Sequence, residues 1–397
     1  MIMQEANYTV HLGKSKVKNY HPQLRGAFSR GNDYIYDIVN YGQGKLASSS
    51  STNQIKIFEK TNLTSSLTLE FHKDTITGLK AWNQASDQLL LSSSKDGYIA
   101  LWDPRASNAP INTWHDPGSE IASFDFNCEG NILTAGTYLN ESTREAKILF
   151  WDVRTKNLFR QFVDSHNDDI TEIRFHPTVS HQLLTGAMDG LICSFSLNEV
   201  EEEDALDKVI NSGASISHAN YFGSNNQFIY SMSHCETYSL WSAEGDPLFD
   251  FGSMKHASIH EFSMDYGICS KYDFLSNILY YIGGSFKGEI GIYKVNPTGR
   301  LELCEVLEGG HHDVVRSIHW DLPSGELISA GEDGNLASWG LRQACDSEAN
   351  VTSRISKVSI GLTTISYIFR AQVNQGFRRI SFLFYNRNEI RWLFNQL

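Results

Sequence analysis

The stretch HKDTITGL at 72–79, followed by LLSSSKDGYIALWD at 90–103, decides the fold of this chain of 397 residues. Apolar residues alternate with polar or small ones in both parts, which is the period of a β-strand with one buried face. The Asp-Gly pair at 96–97 favours a two-residue hairpin turn, because glycine readily adopts a positive φ. The stretch therefore predicts a short antiparallel sheet.

The same pattern returns twice along the chain. HNDDITEIRF at 166–175 precedes LLTGAMDGLICSF at 183–195, and HDVVRSI at 312–318 precedes LISAGEDGNLASW at 327–339. Each copy has a His, two apolar runs, Asp-Gly and a third run that ends on an aromatic residue. No long amphipathic helix is predicted between the copies, so an enzyme fold of alternating strands and helices is disfavoured.

Weaker copies fill the gaps, so the chain contains seven units between about residues 8 and 341. Their strands are predicted at 34–39, 45–48 and 55–58; at 121–126, 131–136 and 148–152; at 219–222, 228–233 and 237–241; and at 278–284 and 288–293.

Trp102-Asp103, Trp151-Asp152 and the three units with His, Asp-Gly and an aromatic residue resemble the WD-repeat family. The resemblance implies an all-β fold, a seven-bladed WD40 β-propeller over residues 1–341. GGHHDVVRSIHW at 309–320 and SAGEDGNLASW at 329–339 are further similar to the eukaryotic WD-repeat-containing protein 89 group.

Closure of the propeller is predicted from the two ends of the repeat region. The last unit provides three strands that end near Leu341, and YTVHL at 8–12 is a spare strand. We expect this N-terminal strand to close the last blade, because an unpaired strand edge promotes aggregation. On this prediction, deletion of residues 1–14 abolishes the fold.

The resemblance implies a buried hydrogen-bonded tetrad in three of the blades. A buried His and a buried Asp are tolerated only when they are paired, so these residues are expected to be structural and not catalytic. The expected sets are His72, Ser92, Asp96 and Trp102; His166, Thr185 and Asp189, with Phe195 in place of Trp; and His312, Ser329, Asp333 and Trp339.

Charge and composition restrict the partners and the compartment. The formal charge is −13, but residues 342–397 hold eight basic and three acidic groups, which leaves −18 on residues 1–341. An acidic body repels phosphate and anionic membranes and favours proteins, basic ones in particular, over nucleic acid. No secretory signal and no apolar run of about 18 residues is present, so no membrane association is expected.

Six scattered cysteines without a C-x-x-C pair indicate a reducing compartment, and nucleus and cytoplasm are expected. No phosphate-binding loop, nucleophile elbow or zinc-protease motif is found, so no enzyme, cofactor or metal is predicted. The neighbouring His311, His312 and Asp313 are assigned to the blade and its loop.

In propellers of this family, the loops on one face around the channel mouth usually bind partners. The expected function is a non-enzymatic scaffold, a monomeric propeller within a larger complex. The residues placed on that face by alignment are Lys73, Lys95, Asp168, Met188, Arg316 and Glu332.

Two W-D-x-R motifs leave a second function open. Arg105 and Arg154 end these motifs, which in substrate receptors of cullin-RING ubiquitin ligases accompany docking to the ligase adaptor. An ordinary exposed arginine that follows strand c is the favoured explanation.

Two segments interrupt the strand pattern. The acidic run EVEEEDALD at 199–207 is expected to be a mobile solvated loop, which could attract a basic partner. Residues 342–397 form a C-terminal extension that is expected to be disordered or partly helical. An unnatural addition to the coding sequence is the open alternative.

Overall fold

The structure, a computed structural model, describes residues 9–12, 18–28, 33–42, 44–82 and 88–340. These residues form thirty strands, a single-turn α-helix at Glu202–Ala205 and a 3-10 helix at Met254–Ala257. No helix in this part of the chain is long and apolar enough to cross a membrane. The predicted extension at 342–397 lies outside the described residues.

The first half of the chain supplies three strands at the N-terminus and three complete blades. The N-terminal strands are β1 (Thr9–Leu12), β2 (Lys18–Tyr20) and β3 (Leu24–Ala27). Blade 1 contains β4 (Ile35–Gly42), β5 (Lys45–Ser50), β6 (Gln54–Glu59) and β7 (Thr64–Glu70); blade 2 contains β8 (Ile76–Trp82), β9 (Leu89–Ser94), β10 (Tyr98–Trp102) and β11 (Asn112–His115). Blade 3 contains β12 (Ile121–Phe126), β13 (Ile132–Thr137), β14 (Ile148–Asp152) and β15 (Leu158–Phe162).

The second half supplies the other four blades, so that the described residues form the predicted seven-bladed propeller. Blade 4 contains β16 (Glu172–Phe175), β17 (Gln182–Gly186), β18 (Leu191–Ser196) and β19 (Leu206–Asn211); blade 5 contains β20 (Ile216–Phe222), β21 (Phe228–Ser233), β22 (Thr237–Ser242) and β23 (Pro247–Ser253). Blade 6 contains β24 (Tyr266–Asp273), β25 (Ile278–Gly284), β26 (Ile290–Asn296) and β27 (Arg300–Leu307); blade 7 contains β28 (Val315–Asp321), β29 (Glu326–Gly331) and β30 (Asn335–Gly340).

The four strands of a blade are called a to d from the channel outwards. Strands b and c are buried along almost their whole length, as β9 and β10 show. The outer strand β7, in contrast, has four exposed residues and a single buried one. The middle strands are covered on both faces because each blade packs against its neighbours. Trp82 and Trp114 of blade 2, for example, share one apolar cluster with Trp151 of blade 3.

Two faces of the propeller follow from this topology. The upper face carries the loops from strand d to strand a and the turns from b to c; the lower face carries the a–b and c–d loops. The b–c turn of blade 2 has three residues, not the predicted two: the Gly97 amide donates to the Ser94 carbonyl, and Gly97 alone takes the positive φ, 83°. A Cβ at Gly97 would lie 2.7 Å from the Ser119 carbonyl oxygen.

An N-terminal strand closes the last blade, but it is not the predicted one. β3 (Leu24–Ala27) pairs antiparallel with β30 and completes blade 7. β1 (Thr9–Leu12) instead pairs in parallel with β27, and β2 continues along the same edge of blade 6. Close packing positions β3, because a Cβ on Gly26 would lie 2.4 Å from the Leu63 carbonyl oxygen.

The acidic run at 199–207 is not the loop that the sequence predicts. It contains the single helical turn Glu202–Ala205, and the Glu202 carboxylate accepts hydrogen bonds from the Val163 amide (2.7 Å), the Asp164 amide (3.0 Å) and the Ser165 hydroxyl. Ala205 is buried in the core between blades 3 and 4. The run therefore contributes to the packing of two blades.

Candidate functional site

The first tetrad lies in blade 2 and joins the upper loops to the core. His72 Nε2 lies 2.7 Å from Ser92 Oγ, which accepts a hydrogen bond of 2.9 Å from Trp102 Nε1. His72 Nδ1 lies 3.1 Å from the Asp96 carboxylate. Since the serine hydroxyl has one proton to donate, the chain of bonds places the imidazole proton on Nδ1. Burial alone would raise the pKa of Asp96, but bonds from His72 and the Lys73 amide lower it.

The blade 4 residues form a shorter version. His166 Nδ1 lies 3.1 Å from Asp189 Oδ2, and Nε2 lies 2.7 Å from Thr185 Oγ1. Phe195 occupies the place of the tryptophan, is buried, and has no donor for the threonine. Phe162 packs 5.4 Å from it, ring centroid to ring centroid, so apolar packing stands where the last hydrogen bond would be.

In blade 7 the tetrad histidine is His311, not the predicted His312. His311 lies 3.1 Å from Asp333 through Nδ1 and 2.7 Å from Ser329 through Nε2, and Trp339 donates to Ser329. The His312 side chain is 77% exposed. Spacing would have found the right residue: His72 and His166 lie four positions before a buried isoleucine at or just before strand a, as His311 lies four before buried Val315.

The described residues also contain a contact that the sequence did not reveal. In blade 5, Trp241 Nε1 donates to Ser231 Oγ at 2.9 Å, as the tetrad tryptophans do. The position four residues before Ile216 is Ser212, which bonds to the Gly190 and Ala214 carbonyls. This blade keeps the inner half of the network without its histidine.

The six candidate partner-binding residues that alignment placed around the channel mouth all lie on the upper face. Lys73 and Met188 are exposed, and Asp168 caps the Asp169 amide. Lys95 Nζ lies 4.2 Å from the centre of the Tyr138 ring. The structure brings Arg316 and Glu332 together in an ion pair, while the others are distributed around the mouth over blades 2 and 4.

An exposed aromatic residue on the same face was not predicted. Phe286, in the b–c turn of blade 6, is 65% exposed and lies beside Tyr266, with ring centroids 5.8 Å apart. Its amide donates to Asp265 at 2.8 Å, which holds the turn. Blade 6 is a weak copy without Asp-Gly, so no sequence signal selected this turn.

The two W-D-x-R arginines lie on the lower face, after strand c of adjacent blades. Arg105 is held by Asp103 through two hydrogen bonds of 2.8 and 2.9 Å. Arg154 is exposed.

A polar channel of about 780 Å³ runs through the centre, lined by the innermost strands. Six of these strands carry a β-bulge, for example at Asp37 in blade 1. In each of the six, the residue two positions beyond the bulge faces the channel, and Arg174 takes the equivalent place in blade 4. We call these seven equivalent residues the lower ring. Its members are Val39, Lys80, Asp125, Arg174, Asn220, Lys271 and His319.

Most charges in the channel are paired. Lys80 Nζ lies 2.7 Å from Asp125, and Glu172 contacts both Arg174 (2.8 Å) and His218 (3.2 Å). Burial would raise the pKa of Glu172, but Arg174 and His218 lower it. Burial lowers the pKa of Lys80 despite its bond to Asp125.

No group of three or more His, Cys, Asp or Glu side chains suited to a metal occurs within the described ranges. The repeated blades, the polar channel and the His–Ser–Asp networks define a β-propeller of the WD-repeat class.

Comparison with known proteins leads to the family. The profile of the WD domain, G-beta repeat, matches residues 63–103. The chain is 31% identical to WD repeat-containing protein 89 homolog of Dictyostelium discoideum, over 81% of this chain and 87% of that protein. It is 30% identical to WD repeat-containing protein GTS1 of Arabidopsis thaliana, over 78% and 81%. An uncharacterized WD repeat-containing protein of Schizosaccharomyces pombe is 28% identical, over 77% and 95%.

This chain belongs to the WD-repeat family, and the resemblance to the WD-repeat-containing protein 89 group is confirmed. Propellers of this family generally act as scaffolds for protein interactions and have no enzymatic activity of their own.

Proposed function

We propose that this protein is a non-enzymatic scaffold that binds protein partners through loops held rigidly on the upper face. The observation that carries the proposal is the attachment of these loops to the core. In blade 2, Asp96 of the b–c turn bonds to His72 and to the Lys73 amide (2.8 Å) of the preceding d–a loop. Side chains next to such bonds are presented at fixed positions, which reduces the entropy lost on binding.

The partner surface that we propose combines charge with an apolar anchor. Lys95 and Met188 lie on the upper face with Phe286, and aromatic anchors commonly supply much of the binding energy of an interface. Proteins with basic segments are the preferred partners, because residues 1–341 carry a formal charge of −18.

The test is affinity purification of the tagged full chain from cells, with chemical cross-linking and mass spectrometry. The triple variant Asp168→Asn, Met188→Ser, Phe286→Ser is compared with Ile111→Ser, Leu248→Ser at the lower ends of blades 2 and 5. We expect the upper-face variant to lose partners that the lower-face variant keeps. Recovery of the same proteins as an unrelated tagged propeller would reject the scaffold, and imaging of the tagged chain tests the proposed location in nucleus and cytoplasm.

A ubiquitin-ligase substrate receptor is the second candidate. It is favoured by the equivalent positions of Arg105 and Arg154 on adjacent blades, with Arg154 exposed. A purified ligase adaptor is then expected to bind at micromolar concentration, and Arg105→Ala with Arg154→Ala should weaken the complex about tenfold. Absence of binding at that concentration rejects this candidate and leaves the scaffold intact.

A further inference from the structure

The lower ring contains two neighbouring basic residues without a partner. Lys271 and His319 occupy equivalent positions on β24 and β28, the innermost strands of blades 6 and 7. Among the described residues, the Lys271 ammonium group has no hydrogen bond or ion pair, and the buried His319 Nε2 atom has no hydrogen-bond partner. The other two cations of the ring are paired, Lys80 with Asp125 and Arg174 with Glu172.

The carboxylate of Asp37 in the channel does not neutralise this pair directly. It accepts hydrogen bonds from Ser317 Oγ (2.8 Å), the Ile38 amide (2.8 Å) and the Leu79 amide (3.1 Å). Burial raises the pKa of Asp37, while these hydrogen bonds and the nearby charge of Lys271 lower it.

The acidic residues at the lower end of blades 6 and 7 also have other partners. Asp273 accepts bonds from the Leu275 amide (2.9 Å) and Ser276 Oγ (2.5 Å). Asp321 accepts a bond of 2.5 Å from Ser324, and Glu326 pairs with Lys60. None of these carboxylates forms an ion pair with Lys271, so its ammonium group can still form one with a ligand.

An apolar tip lies beside these basic residues. The a–b turn of blade 6 places Phe274, 61% exposed, at the channel mouth and Leu275, 82% exposed, next to it. The bonds to Asp273 hold this turn, and Tyr272 packs edge-on against Phe274 with centroids 4.8 Å apart. Two large apolar side chains on a fixed turn form an anchor that needs little ordering when a partner binds.

We propose that this lower mouth docks a peptide segment of a partner protein in which a carboxylate stands next to an apolar side chain. The carboxylate enters the channel, forms an ion pair with Lys271 and accepts a hydrogen bond from the imidazole of His319, and the apolar side chain packs on Phe274 and Leu275. The inference rests on the proposed scaffold function and adds the chemistry of one partner. The site is a local exception to the acidic body, because an ion pair inside a narrow channel is little screened by water.

A random 12-residue peptide library displayed on phage and selected on the immobilised full chain tests the proposal. We expect selected sequences to carry Asp or Glu beside Leu, Phe or Ile. A fluorescein-labelled selected peptide is then measured by fluorescence polarisation against the wild type, Lys271→Met and Phe274→Ser. Each variant should weaken binding at least tenfold, as should replacement of the acidic residue of the peptide by its amide.

Leu248→Ser, on the exposed outer strand of blade 5, is the matched control and should leave the affinity within twofold, and Phe286→Ser is measured beside it to detect binding at the upper face instead. Lys271→Arg should keep most of the affinity, and the amide peptide tests the charge pair without changing the fold of the protein. Selection of no peptide, or peptides that ignore Lys271→Met and the amide substitution, overturns the inference. If Phe286→Ser instead abolishes binding, this docking site is wrong while the upper-face scaffold stands.

Discussion

Ser317 Oγ donates a hydrogen bond of 2.8 Å to the carboxylate of Asp37, joining blade 7 to blade 1 across 280 positions of sequence. The same carboxylate accepts the Leu79 amide of blade 2 at 3.1 Å. One acidic side chain therefore links three successive blades at the place where the ring closes. Asp125 acts similarly further round, where it accepts the Phe175 amide of blade 4 and Lys80 of blade 2.

Removal of this link should destabilise the closed ring. Asp37→Ala leaves the Leu79 amide without its acceptor and leaves the Ile38 amide only its longer bond to Ser317 Oγ (3.2 Å), and we expect a loss of about 3 kcal/mol in the free energy of unfolding. Ser317→Ala should cost about 1 kcal/mol, and the double variant less than the sum, because both changes remove the same bond. Urea unfolding measures these values; Ser65→Ala on the exposed outer strand β7 is the control, and additive losses would contradict a shared contact.

The tetrad of blade 7 gives a comparison between adjacent histidines. His311→Ala removes the partner of buried Ser329 and Asp333 and should lower the free energy of unfolding by about 3 kcal/mol. His312→Ala should cost less than about 0.5 kcal/mol, since its side chain is exposed and its amide bond to Asp333 survives. Thermal and urea unfolding decide between them; equal effects would restore the original assignment to His312.

The features that the sequence predicts depend on residues close together in the chain, whereas the features that it misses join residues far apart. Strands such as β9 and β10 and the tetrad of blade 2 follow from local signals, namely period-2 alternation and Asp-Gly at a fixed distance from His72. The pairing of β3 with β30 joins residues over 300 positions apart, and LRGA at 24–27 has no apolar alternation to announce a strand. The sequence also does not reveal that Glu202 accepts hydrogen bonds from distant backbone amides. An acidic run has the same sequence pattern whether its carboxylates face water or accept such bonds.

The correction to closure changes the expected result of truncation. Deletion of residues 1–17 removes β1 but keeps β3, so the chain should still unfold cooperatively, with lower stability because blade 6 loses its added edge.

Gly26→Ala should destabilise far more than Ala27→Ser, by about 2 kcal/mol or more, because the new Cβ meets the Leu63 carbonyl. Calorimetry of the three variants checks this, and loss of folding in the deletion would revive the prediction that residues 8–12 close the propeller.

The acidic run offers a test in which charge and position separate. Glu202→Gln keeps the size of the side chain but weakens its bonds to the Val163 and Asp164 amides, at an expected cost of about 1–2 kcal/mol. Glu203→Gln makes the same change in charge on the exposed side of the helical turn and should be nearly neutral. Urea unfolding compares the loss of unfolding free energy in the two variants. Equal losses would indicate that the run is a solvated loop after all.

His319 should make the protein sensitive to mild acid. Burial and the positive charges of Lys60 and Lys271 lower the pKa of His319 from 6.5 to about 4. As the pH falls from 6.5 to 4, the unfolded chain takes up a proton there and the folded chain does not, so stability declines through this window and the decline ends below pH 4. The contribution is about 3 kcal/mol. His319→Gln should remove it, so the wild type and the variant should differ in the slope of unfolding free energy against pH between 4 and 6.5. Parallel curves for wild type and His319→Gln would show that this imidazole titrates normally in the folded protein.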